Sequence, residues 1–202
     1  MSRQRQQEQN EEMRAKILEI ARCILKEEGT EAVSVRRITK EIDYSSGIVY
    51  HYFSGKEEIL HTLLLEGYRR ILSSIPRPEE ELPPPEGIRR AVQRYIENVL
   101  EWPEEYRAVM FSSKPDILAV TSILDADVCD KRQAIRWLAG SLQRGMDQGD
   151  FAPGDPVLTA QTVWCAMFGL AARLIIEGTP PGERRDTLIR RHADFIVRGI
   201  CL

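Results

Sequence analysis

The sequence predicts an all-α protein. Three observations carry that expectation: apolar residues recur three and four apart through most of the chain, no stretch alternates polar and apolar over a useful strand length, and one proline-rich segment separates two helical regions. At 202 residues the chain can bury a real core, as one domain or as two small ones.

Taken in order, residues 1–12 are polar and charged and are expected to form a disordered arm, with Arg3 and Arg5 either solvated or reaching into a minor groove. Ile17, Leu18, Ile20, Ala21, Ile24 and Leu25 then give an amphipathic helix that ends near Gly29. Ser34 caps a short helix whose Val35, Ile38 and Ile42 share one face, which turns Arg36, Arg37 and Lys40 to solvent. Asp43-Tyr44 breaks the period, and Asp tolerates the left-handed conformation that a tight turn needs. Ser45 offers a second N-cap oxygen to Ser46–Tyr52, a segment of about one to two turns. Val49 and Phe53, four apart, are expected in the core. Ser54-Gly55-Lys56-Glu57 has the spacing of a capping box, so another helix begins there and runs on through Leu60, Leu63, Leu64, Tyr68, Ile71 and Leu72.

Ile75 to Glu86 carries five prolines and four glutamates and is expected as a linker loop over 75–86. Ile88, Val92, Tyr95, Ile96 and Val99 mark the next helix; Pro103 starts another with Tyr106, Val109 and Met110, and Pro115 ends it. A helix from about Asp127 to Gln148 follows. Asp155-Pro156 opens a helix through Glu177 that is apolar on almost every face. Gln161, Arg173 and Glu177 make it a poor membrane span, so it is expected to be covered by a second subunit. Residues 181–200 supply its partner helix.

Two short helices about a tight polar turn, the second with an exposed start, form a helix-turn-helix, whose recognition helix enters the DNA major groove. Residues from about Met13 to Leu64 resemble the DNA-binding domain of TetR-family transcriptional regulators. The resemblance rests on Ser34-Val35-Arg36, Ser45-Ser46-Gly47, Val49-Tyr50-His51-Tyr52-Phe53 and Lys56-Glu57-Glu58-Ile59-Leu60, in order and at the usual spacing. The family has Gly, Val and a small residue where Asp43, Tyr44 and Ile48 stand here. The resemblance implies a DNA-binding head over 13–58 and a helical regulatory and dimerisation domain over 59–202. It also implies a homodimer through 155–177 and 181–200, and a small-molecule effector that moves the heads.

Within the head, Ser45, Ser46, Gly47 and Ile48 are the base-edge candidates, with Ile48 equally readable as a packing residue. The resemblance assigns Tyr50, His51, Tyr52 and Lys56 to phosphates; ordinary aromatic packing is the alternative for the two tyrosines. Ser34, Arg36 and Arg37 are further backbone candidates, against a plain cap and two solvated charges. An apolar effector pocket is sought among Trp102, Tyr106, Met110, Phe111, Trp137, Trp164, Met167 and Phe168, residue types that equally make plain core. Arg136, Arg173 and His192 are the polar exceptions.

Composition adds little to the case for nucleic acid. Lys and Arg total 28 against 31 Asp and Glu, and residues 1–60 hold 10 against 11, so any phosphate contact depends on local placement. Cys23, Cys129, Cys165 and Cys201 stand far apart and are expected to be buried, reduced thiols. With no secretory signal the protein is expected in the cytoplasm. His51, His61 and His192 form no metal-binding spacing, and no phosphate loop or nucleophile elbow is present, so no cofactor and no enzyme activity are expected. Two alternatives remain: a regulator of the same fold controlled by a protein partner, and an all-α enzyme with similar packing.

Overall fold

The computed structural model describes residues 3–74 and 81–201. Eleven α-helices account for most of the described residues, and the only extended pairing among them is a bridge between Phe151 and Cys201. The chain forms two compact units. The first comprises residues through Tyr68 together with Glu104–Ser112; the second holds Arg69–Pro103 and the residues from Ser113 onward.

The first unit is built on α1 (Arg3–Glu28), α2 (Val35–Ile42), α3 (Ser46–Tyr52) and the first part of α4 (Lys56–Ser74). Residues 3–12, expected as an arm, instead extend α1 by almost three turns. Their Gln, Glu and Arg are good helix formers, which a search for apolar periodicity does not register. From Met13 onward α1 turns its stripe inward, and Ile17, Ala21 and Ile24 pack with Ile38, Val49 and Ile59 in one core.

A later helix, α6 (Pro103–Met110), completes this unit through residues 104–110. Tyr106 and Val109 are fully buried. Gly67 of α4 lies against the Val109 side chain. Arg22 joins the elements by charge: its guanidinium lies 2.6 Å from Glu66 and 3.6 Å from Glu105, a buried residue.

In the second unit, α9 (Gln133–Gln148) packs on α10 (Pro156–Ile176) and on α5 (Pro84–Val99), and α11 (Glu183–Ile200) packs on α5 and α10. Asp155 caps α10 as expected, accepting from the Val157 and Leu158 amides at 2.8 and 3.1 Å. Other boundaries differ from expectation. The proline-rich segment yields a helix from Pro84, because Pro84 and Pro85 occupy first-turn positions that need no N–H; Ile75 to Glu80 lie outside the described residues. Pro115 likewise starts a helix, α7 (Pro115–Thr121), as well as following one. The single helix expected from Asp127 is two, α8 (Val128–Lys131) and α9, separated at the extended residue Arg132. There the Arg132 guanidinium donates to the Ala119 and Ser122 carbonyls at 2.5 and 3.1 Å, drawing the chain off the helical path. None of the four free cysteines is buried, contrary to expectation: Cys23 and Cys165 fall on the solvent faces of their helices.

Candidate DNA-binding site

Ser34 starts the motif with a local bond, its hydroxyl accepting from the Arg37 amide at 3.2 Å. Helix α2 ends at Asp43, the one non-glycine residue with positive φ among those described (φ 57°, ψ 44°), and the Asp43 amide donates to the Thr39 carbonyl. The Tyr44 amide reaches that same carbonyl at 3.3 Å, which closes the turn. Ser45 occupies the N-cap of α3, yet its side chain makes no capping bond, so the expected second N-cap oxygen is not used. Its carbonyl instead accepts from the Ile48 amide at 3.1 Å.

This turn divides α3 into two faces. Val49 and Phe53 are buried as expected, and Ile48 and Tyr52 pack against the same core while partly exposed. Ser45, Ser46, Gly47, Tyr50 and His51 are exposed, Tyr50 to 59%, as is Tyr44 in the turn. An exposed aromatic ring on a short helix contributes little to folding and remains free to touch a partner.

The charged candidates differ in how they are held. Arg36 and Lys40 are exposed on α2. Arg37 is committed to Glu28 and Glu41 at 3.0 and 3.2 Å, so its charge is already paired. Lys56 Nζ donates to the Glu31 carbonyl at 3.4 Å, which anchors the start of α4 to the loop after α1. The expected box between Ser54 and Glu57 is displaced by one residue, because α4 begins at Lys56 and its second glutamate faces back: the Ser54 amide donates to Glu58 Oε2 at 2.7 Å. That amide bond, then the Ser54 hydroxyl, holds the exposed Glu58 carboxyl below its ordinary range.

Residues 17–63 match the profile of bacterial regulatory proteins of the tetR family, and residues 88–196, more than half of the chain, match the tetracyclin repressor-like C-terminal domain. The chain belongs to the TetR family. It is 25% identical over 157 residues to YfiR, an uncharacterized HTH-type transcriptional regulator of Bacillus subtilis, covering 75% of this chain and 74% of that one. It is 28% identical over 151 residues to the HTH-type transcriptional repressor KstR2 of Mycobacterium tuberculosis, covering 69% and 70%. The crystal structure of a tetR-family regulatory protein from Rhodococcus RHA1 shares the fold, with a TM-score of 0.69 and 22% identity over 94% of this chain and 98% of that one. As a TetR-family member the chain is a transcriptional regulator and not an enzyme. Among the described residues no group of three or more His, Cys, Asp or Glu is placed to hold a metal ion.

The aromatic and methionine positions considered for an effector divide between the units of this TetR-family chain. Tyr106, Met110 and Phe111 fall in the unit that carries the helix-turn-helix, whereas Trp102, Trp137, Trp164, Met167 and Phe168 fall in the other. Trp164 packs on Tyr95 with ring centroids 5.1 Å apart, and Trp102 lies 5.6 Å beneath the Arg70 guanidinium. The three polar exceptions have structural partners. Arg136 donates to the Cys129 and Asp130 carbonyls, Arg173 pairs with Glu177, and His192 Nε2 lies 3.0 Å from the Ala166 carbonyl. One buried polar residue whose place periodicity missed is Gln161, whose amide donates to the Ile123 and Asp125 carbonyls at 2.8 and 3.1 Å. Also missed were Asn10 and Arg14 of α1, which reach the end of α3; their spacing from Ile17 was the available signal.

Proposed function

We propose that this regulator is a ligand-responsive repressor that binds a pseudo-palindromic operator as a homodimer and is released by a mostly apolar small molecule. The observation that carries the DNA reading is the split of α3: Val49 and Phe53 anchor it while its N-terminal residues and Tyr50 remain outside. In this reading Ser45, Ser46 and Gly47 approach base edges. Tyr50, His51, Tyr52 and Lys56 contact phosphates, with Ser34 and Arg36 adding backbone contacts. Arg37 contributes only by exchanging an internal ion pair for a phosphate.

One short helix reads few base pairs, so two heads are needed at half-sites spaced by roughly 34–36 Å or a multiple of it. The dimer forms through 155–177 and 181–200. Helix α10 is long and apolar enough to cross a membrane by length and composition, and half of that apolar window is buried within the chain. The exposed part forms a line of Leu158, Thr162, Cys165, Gly169, Arg173 and Ile176, and α11 exposes Leu188 and Phe195. Apolar surface of that extent is stabilised by a second copy. Helix α4 is continuous from the head into the second unit, so an effector that favours one arrangement of the helical domain biases the separation of the heads. The repressor direction follows the description of KstR2.

Footprinting on the promoter beside the gene, at stated salt, is expected to protect a pseudo-palindrome; an unprotected promoter counts against the reading. A Tyr50→Ala, Lys56→Ala variant is expected to lose operator affinity and to lower the salt slope by about one per head. Binding as tight as wild type would remove these phosphate assignments.

A further inference from the structure

Residues 5–12 of α1 are exposed throughout, so this part of the helix buries no core. Arg3, Arg5 and Arg14 are balanced by Glu8, Glu11 and Glu12, which leaves the segment without the net positive charge that makes a basic arm bind phosphate. The extension nevertheless continues one face of α1, since Asn10, Met13, Arg14 and Ile17 fall at i, i+3, i+4 and i+7. Ile17 lies in the head core, Met13 packs at its edge, and the Arg14 guanidinium sits 4.9 Å from the centroid of the Phe53 ring. At the next turn outward the Tyr52 hydroxyl donates to Asn10 Oδ1 at 3.1 Å. The stripe that packs α1 onto the head therefore ends in a polar contact with the last residue of α3.

We infer that Asn10 is a positioning residue for DNA binding, its side-chain amide aiming the Tyr52 hydroxyl at a phosphate of the DNA backbone. This rests on the reading of Tyr52 as a phosphate contact. A phenol has one hydrogen to donate, and in the free protein it goes to Asn10 Oδ1. A carboxamide has an acceptor edge and a donor edge, so a half-turn of the Asn10 amide presents Nδ2 to the phenol oxygen and releases the phenol hydrogen for a phosphate oxygen. The resulting chain, amide to phenol to phosphate, runs donor to acceptor in one direction, and each bond polarises the next. The His51 ring stands edge-on to Tyr52 with centroids 4.9 Å apart and planes at 88°. Held by Asn10 on one side and His51 on another, the ring is ordered before DNA arrives, which lowers the entropic cost of the contact.

The test uses full-length protein and a duplex selected in vitro from a randomised pool by the wild type. Affinity across a salt series and melting temperature are measured for Tyr52→Phe, Asn10→Ala, Asn10→Asp, and Asn10→Ala combined with Tyr52→Phe. Asn10→Ala is expected to weaken binding by about threefold per head, or about tenfold for a dimer, with an unchanged salt slope and no further loss in the Tyr52→Phe background. Asn10→Asp still accepts the phenol hydrogen but cannot donate, so it is expected to bind more weakly than Asn10→Ala while melting at the wild-type temperature. Wild-type affinity in Asn10→Ala beside a weakened Tyr52→Phe overturns the positioning role. Additive losses in the double variant, or a lower salt slope in Asn10→Ala, also overturn it, because Asn10 would then act independently of Tyr52. Wild-type affinity in Tyr52→Phe overturns the phosphate contact itself.

Discussion

Phe195→Asp offers the sharpest test of the proposed dimer. Phe195 is 75% exposed, so its replacement removes little packing within the chain. Complete burial of a phenylalanine stabilises by about 1.5 to 3 kcal/mol, so covering the exposed part of this ring is worth about 1 to 2 kcal/mol. A two-fold interface uses the same patch twice, which doubles the loss to about 2 to 4 kcal/mol and weakens dimerisation by about 30- to 1000-fold. The paired carboxylates add repulsion, so the change is expected at the upper end. Analytical ultracentrifugation over a concentration series reads the constant directly, and circular dichroism checks that the helices persist. A folded variant that dimerises as tightly as wild type would refute the placement of Phe195 in the seam. A variant that dissociates should also lose operator affinity, since each isolated head reads only one half-site.

Asp43→Gly is expected to stabilise the head by about 0.5 to 1 kcal/mol in a denaturant melt, because glycine occupies the left-handed position of φ 57° without side-chain strain. Gly145→Ala should destabilise by about 1 to 3 kcal/mol although alanine is the better helix former, since its Cβ would stand 2.2 Å from Cδ2 of the buried Phe151 ring; a melt that shifts upward would contradict this. Glu58 has a folded-state pKa below its ordinary value near 4.5, so its contribution is present above that value and is lost as pH falls through the folded pKa. Melting temperature followed through the acid range should therefore fall less steeply in Glu58→Gln than in wild type.

Features that depend on neighbours within one turn were legible in the sequence. Ser34 and Asp155 cap α2 and α10 through bonds to amides two or three residues away, and Asp43 takes the left-handed turn. The four-residue spacing that places Val49 and Phe53 inward was legible in the same way. Features that depend on distant partners were not. Arg132 breaks a helical pattern because its guanidinium reaches carbonyls ten and thirteen residues back. The extension of α1 rests on propensity and has no apolar signal, and the Asn10 contact crosses 42 positions to Tyr52.

Residue spacing and local hydrogen bonding are enough for the all-α class, the helix-turn-helix with its capped and left-handed punctuation, and membership of the TetR family. Tertiary structure decided that α6 completes the head, since its stripe does not reveal which helix will cover it. There Val109 packs beside Gly67, and Arg22 pairs across the sequence with Glu66 and with the buried Glu105. It also decided which side of α3 faces outward with α1 at its end, and so which tyrosine is held by a second residue and which stands free.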